Sequence, residues 1–216
     1  MIPPFNDSGF LPPYTGENST IATLASPYRA TMLELVTQFA TSPERRVILR
    51  GLLGYRAGLR AIGIADGYQW LDGSFCSDIE RLETRAPRDI DVVTYACRPA
   101  HAKSSAELGL LANANLPLFV TQLTKATYHV DAYFIDLEMK PHRLVERASY
   151  WHGVFGHQRV TSLWKGMVRV ELSCDDAAAL RHLDSLDAAP QNAQIEGADS
   201  TTELTEALTA EGATNA

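Results

Sequence analysis

The chain has 216 residues, 45% of them hydrophobic, which suits one ordinary core with small additions and excludes an assembly of several domains. Its net charge of −7 gathers at the C-terminal end: from Ala188 onward there are five acids and no lysine or arginine, so residues 1–187 carry 21 acids against 19 bases. That near-neutral body excludes a broad basic face for duplex DNA, and the absence of a long apolar run or a charged leader excludes a membrane span and a signal peptide.

Three scattered cysteines, Cys76, Cys97 and Cys174, form no paired motif and point to reduced thiols in a cytoplasmic protein. Residues 1–26, rich in Pro, Gly, Asn and Ser with Phe5, Phe10, Leu11 and Tyr14 between them, read as an extended arm packed on the domain. Ser26-Pro27 predicts a helix start, with Leu33, Val36 and Phe39 as its apolar stripe. Ser42-Pro43-Glu44 opens the next helix, which runs to about Gly63. Arg45, Arg46, Arg50, Arg56 and Arg60 on it read as a solvated face or, alternatively, as part of a phosphate site.

The stretch from Gln69 to Thr94 carries the chemistry. It reads as a strand ending at Leu71, a turn at Asp72-Gly73-Ser74, a charged excursion over 77–88, and a second strand from Asp89. Asp89 and Asp91 stand two apart on that strand, so both carboxylates share a face, with Cα atoms roughly 6–7 Å apart, while Ile90 and Val92 face the core. Two aimed carboxylates beside a glycine turn suit a divalent cation, Mg²⁺ or Mn²⁺, together with a phosphate chain. Arg88 stands where it can pair with Asp89 or with a triphosphate.

Pro99 opens a helical region to about Thr127, broken near Asn115 by Pro117. Residues 129–135 form a third strand, with Asp131 on the face opposite Val130, Ala132 and Phe134. His129 reads as a neighbour of Asp131 or as an ordinary surface or core residue. Pro141 starts an aromatic helix to about Phe155. A final strand spans about Met167 to Leu172, preceded by Lys165, which reads as a phosphate contact or a surface lysine. Trp70, Trp151 and Trp164 read as packing residues. Asp175 or Asp176 caps a last short helix to about Leu186, and the acidic tail 188–216 reads as disordered.

Asp72-Gly73-Ser74-Phe75, Asp89-Ile90-Asp91-Val92 and Val130-Asp131-Ala132 together resemble the nucleotidyltransferase superfamily of DNA polymerase beta type. Its pattern is a Gly-Ser turn, a carboxylate pair one residue apart and a third carboxylate on a later strand. More narrowly, Asn6-Asp7-Ser8-Gly9-Phe10-Leu11-Pro12-Pro13, Pro87-Arg88-Asp89-Ile90-Asp91 and Trp164-Lys165-Gly166 resemble small bacterial nucleotidyltransferase-like proteins.

The resemblance implies an α/β (α+β) fold, a mixed β-sheet carrying the acids and flanked by helices. The resemblance covers about residues 5–172, and composition divides the chain into an arm (1–26), a nucleotidyltransferase-like domain (27–187) and the tail (188–216). The resemblance implies Gly73 and Ser74 as the holders of a nucleoside triphosphate such as ATP, beside which Arg88 and Lys165 are the candidate phosphate contacts read from their positions. It implies Asp89, Asp91 and Asp131 as metal ligands and catalytic acids, with Asp136 the alternative third acid. The activity implied is transfer of a nucleoside monophosphate to an RNA, protein or small-molecule acceptor, as in toxin–antitoxin or phage-defence systems. The alternative is a nucleotide-binding regulatory module on the same fold, with weak turnover or none.

Overall fold

The computed structural model describes residues 1–18 and 20–188. The chain divides into two units, residues 1–183 and residues 184–216; of the second, only the helical residues 184–188 are described. The tail read as disordered therefore lies, from residue 189 on, outside the described residues.

Five strands form one mixed sheet: β1 (Tyr28–Ala30), β2 (Gly67–Asp72), β3 (Ile90–Ala96), β4 (Val130–Asp136) and β5 (Val168–Glu171), in the order β1-β5-β2-β3-β4. β2 runs antiparallel to β3 and to β5, whereas β3 and β4 are parallel, as are β1 and β5. The helices are α1 (Met32–Phe39), α2 (Pro43–Ala61), α3 (Ile79–Glu83), α4 (Ser105–Ala114), α5 (Leu116–Phe119), α6 (Thr121–Tyr128), α7 (Pro141–Phe155) and α8 (Asp176–Ala188). The mixed α/β architecture expected from the sequence is the one observed.

The parallel β3–β4 pair needs a crossover, and α4, α5 and α6 supply it. Asn115 ends α4 and Pro117 sits in the first turn of α5, so the helical region breaks where the proline predicts. Its start differs from expectation. Ser104, not Pro99, begins α4, because Ser104 and Glu107 form a reciprocal capping box.

A second difference lies at Ser26-Pro27. Residues 28–30 are a strand, and the helix begins at Met32. Thr31 and Glu34 form its capping box, and Asp175 Oδ1 accepts a further bond from Met32 N at 2.8 Å. Tyr28, buried, donates its hydroxyl to Pro12 O at 2.7 Å, tying the strand to the N-terminal segment. Leu11 of that segment is fully buried, and its carbonyl accepts from Gly166 N at 2.7 Å.

The sheet has two distinct faces. Leu71, Val92, Ala132 and their register partners face α2 and α6. Arg56 of α2, fully buried, reaches this face to donate to Gln69 Oε1 at 2.8 Å. α2 and α6 meet at backbone distance: a Cβ on Gly51 would stand 1.9 Å from Tyr128 O, so only glycine permits the approach. The other face carries Trp70, Val93, Tyr95 and Ile135, covered by Trp151 and Phe155 of α7. Trp151 packs at a tilt against Tyr133 of β4, with ring centroids 4.3 Å apart. Trp164 is the exception among the tryptophans: it is 67% exposed and meets His157 edge-on.

Candidate functional site

Strand register assembles the acids. Asp72 of β2 stands opposite Asp91 of β3, and Asp91 stands opposite Asp131 of β4. Three carboxylates therefore form a row across three adjacent strands, spaced by about 4.8 Å at the backbone. They emerge on the α7 face, at the end of the sheet that the aromatic cluster leaves open. Asp89, immediately before β3, joins them from the same side, as the alternation predicts. Asp136 stands at the opposite end of β4, where Arg98 holds it at 2.6 Å, so it is Asp131 that lies with the pair.

The bend begins directly after Asp72. Gly73 has φ +85° and ψ −166°, a region essentially reserved for glycine. A Cβ there would stand 2.8 Å from Asp91 Oδ2, so the backbone of the bend packs directly against that carboxylate. Ser74 opens a single 3₁₀ turn to Cys76. Arg45 of α2, 2% exposed, anchors that turn and the start of α3. It donates to Phe75 O at 2.8 Å and Ser77 O at 2.7 Å, and it pairs with Glu80 at 2.6 Å. Arg45 and Arg56 are thus neither a solvated face nor phosphate ligands; their guanidinium forks satisfy buried carbonyls and acids.

Two lysines complete the charge arrangement. Lys165 Nζ pairs with Asp72 Oδ2 at 2.6 Å, the two side chains only 9% and 3% exposed. Lys125 of α6 bridges Asp131 Oδ2 at 2.6 Å and Asp89 Oδ2 at 3.1 Å. Burial pushes the Asp72 carboxyl up to about 7, against the pull of Lys165 and of the Gly73 N–H. Burial likewise pushes Asp91 up to about 6, reinforced by the charges of Asp131 and Asp89 and opposed by those of Lys165 and Lys125. The hydrogen bond to Asp131 holds the Lys125 ammonium well above the usual lysine range.

A cavity of about 860 Å³ brings these groups to one surface. Gly73, Ser74, Asp89, Asp91, Asp131 and Lys165 all line it, along with Asp72 and Lys125. The 157–163 segment, Val154 and Phe155 line it as well, as do Ser8 and Phe10 of the N-terminal segment. Arg88 is exposed and lies outside the lining; Arg85 takes a place there instead, and Asp89 pairs with Lys125 rather than Arg88. His129 is the left-handed C-cap of α6, with φ 55°, exposed and outside the lining.

The donor set is carboxylate oxygen, the hard chemistry that Mg²⁺ and Mn²⁺ take. Asp72 Oδ1 and Asp131 Oδ1 are buried without a hydrogen-bond partner, so the acids retain capacity for a cation. Among the described residues no three acidic, histidine or cysteine side chains already close on a single metal-sized point; Asp89 and Asp131 gather round the Lys125 ammonium instead.

Sequence reasoning passed over Asp72 and Lys125. The signal for Asp72 was its place at a strand end beside the glycine. Lys125 gave none, since its pairing depends on how α6 lies against β4 and on Asp89, which comes before β3 and well upstream in the chain. No curated protein and no solved structure matches the chain. A family model does, over residues 3–171, which include every strand and every acid of the site; the chain belongs to a family of unknown function, DUF6932.

Proposed function

We propose that this protein transfers a nucleoside monophosphate from a nucleoside triphosphate to a hydroxyl-bearing acceptor, with Mg²⁺ or Mn²⁺ held by Asp89, Asp91 and Asp131. The observation that carries the reading is the row of Asp72, Asp91 and Asp131 in strand register, packed against a side-chain-free bend. The acceptor oxygen bonds to the α-phosphorus, the α–β phosphoanhydride bond breaks, and pyrophosphate leaves. The cation, when bound, offsets the negative charge of the phosphate oxygens. Gly73 lets the backbone approach the phosphate chain without a side chain between, and the Ser74 hydroxyl lines the same wall. Asp131 takes the proton of the acceptor hydroxyl. Lys165, neutralising Asp72, keeps that end of the row from repelling the triphosphate.

A second reading, a nucleotide-binding regulatory module without turnover, draws on Lys125, whose ammonium already stands between Asp89 and Asp131. One experiment separates the two. The purified chain is incubated with each labelled nucleoside triphosphate, Mg²⁺ or Mn²⁺, and total RNA or lysate, beside the D89A/D91A variant. Label transferred by the native chain and lost in the variant supports the enzyme. Nucleotide binding without transfer supports the module. Asp131→Ala is expected to slow transfer by about 10²–10⁴-fold while nucleotide binding persists; equal loss of both overturns its role as base.

A further inference from the structure

The two lysines of the cleft differ in kind. Lys165 is enclosed, and its partner Asp72 is 2% exposed; that pair lines the cleft yet is shielded from solvent. Lys125 projects from a helix rather than from the sheet, and its side chain is 42% exposed. Its ammonium nonetheless sits between two acids from neighbouring strands, 2.6 Å from Asp131 and 3.1 Å from Asp89. Asp91 stands opposite Asp131 in the β3–β4 register and two residues after Asp89. A positive charge is needed at this point in any state of the protein, because converging carboxylates repel one another at such range. Lys125 meets that need only partly: Asp131 Oδ1 stays buried with no partner. An ammonium carries three donors on a flexible stem and is readily rehydrated, so it can leave toward solvent without the fold opening.

We infer that Lys125 is a resident stand-in for the divalent cation, and that loading is an exchange in which the ammonium gives up Asp89 and Asp131 as the cation arrives. The inference rests on the metal-dependent reading of the site. A positive charge faces the acids in both states, one unit from the ammonium and two from the cation, so neither the empty nor the loaded protein presents bare carboxylates. The exchange sets the affinity for cation below what the acids alone would give. It also delivers a free ammonium to the rim of the cleft at the moment of loading.

The test is Mn²⁺ binding to the full chain without nucleotide, followed by electron paramagnetic resonance, for the native protein and for Lys125→Met. The variant is expected to bind Mn²⁺ about tenfold to a hundredfold more tightly, the worth of one charge-assisted hydrogen bond no longer broken on loading. Equal or weaker binding by a folded variant overturns the exchange and leaves the metal site standing. No uptake by either protein overturns the metal site and the exchange with it. A second measurement needs no variant. Acetylation of lysines by acetic anhydride is mapped by mass spectrometry with and without Mg²⁺. Lys125 is expected to react several-fold faster with Mg²⁺ present, while Lys165 does not change. A Lys125 rate that Mg²⁺ leaves unchanged or lowers overturns the exchange.

Discussion

Gly73→Ala tests whether the bend and the acid row are one mechanical unit. The first cost is in the backbone: at φ +85° and ψ −166° an alanine stands in a region worth about 1–3 kcal/mol of strain. The second is contact. The new methyl would lie 2.8 Å from Asp91 Oδ2 and 2.9 Å from its Cγ, so the carboxylate must rotate off its preferred rotamer, at about 0.5–1.5 kcal/mol. The bend cannot retreat, because Arg45 grips the carbonyls of Phe75 and Ser77 just beyond it. Together the loss is about 1.5–4.5 kcal/mol, read as a shift of the urea midpoint at unchanged slope. Removing the carboxylate in G73A/D91A relieves the contact term alone. The double variant should therefore be more stable than the sum of the two single changes predicts, by about 0.5–1.5 kcal/mol. A loss below about 0.5 kcal/mol for G73A would refute the strained bend. Strict additivity would refute the contact with Asp91.

The buried charges give three further expected outcomes. Arg56→Met leaves Asp176 with Arg60 alone, takes the guanidinium from the side chain of Gln69 and the carbonyls of Glu171 and Leu172, and should cost about 3–5 kcal/mol in chemical denaturation; a loss under about 1 kcal/mol would contradict that role. Lys165→Met removes the pull that opposes burial at Asp72, so the buried acid takes up a proton near neutral pH and the cost of the change should grow as pH rises, whereas D72N/K165M should recover most of the loss; a double variant no better than the single would show that the lysine stem, not the charge, matters. The Glu80 carboxyl is held below its ordinary range by its hydrogen bonds to Arg45. Its folded value is depressed, so the stability it adds is present above the unfolded value of about 4.5 and is lost as pH falls through the folded one. Thermal melts of native protein and Glu80→Gln should differ near neutral pH and converge on acidification; a gap that stays constant with pH would contradict this.

Features governed by local rules were legible in the sequence. Alternation placed Asp89 and Asp91 on one face, Ser42-Pro43 started α2, and Pro117 broke the helical crossover. Features that depend on distant partners were not. β1 has three residues, too few to show a period, and the Ser-Pro pair before it carries the same signature as a helix start. Arg45 and Arg56 look like surface arginines until Glu80 and Asp176, 35 and 120 residues away, arrive to bind them. Asp72 becomes part of the acid row only through the antiparallel register that sets it opposite Asp91. No periodicity within β2 contains that information. Lys125 is a helix lysine by every local criterion, and its position emerges only when α6 is laid beside β4.

The glycine contact between α2 and α6 has its own bearing on how the cleft responds. With Tyr128 O seated against Gly51, the helix that bears Lys125 has no room to slide or tilt toward α2. Adjustment there falls to rotations about the bonds of the lysine stem, which run in picoseconds to nanoseconds at an exposed site. Sites that open by domain hinges wait microseconds or longer. On the exchange proposed for Lys125, loading would therefore wait on the arrival of the cation and not on a movement of α6.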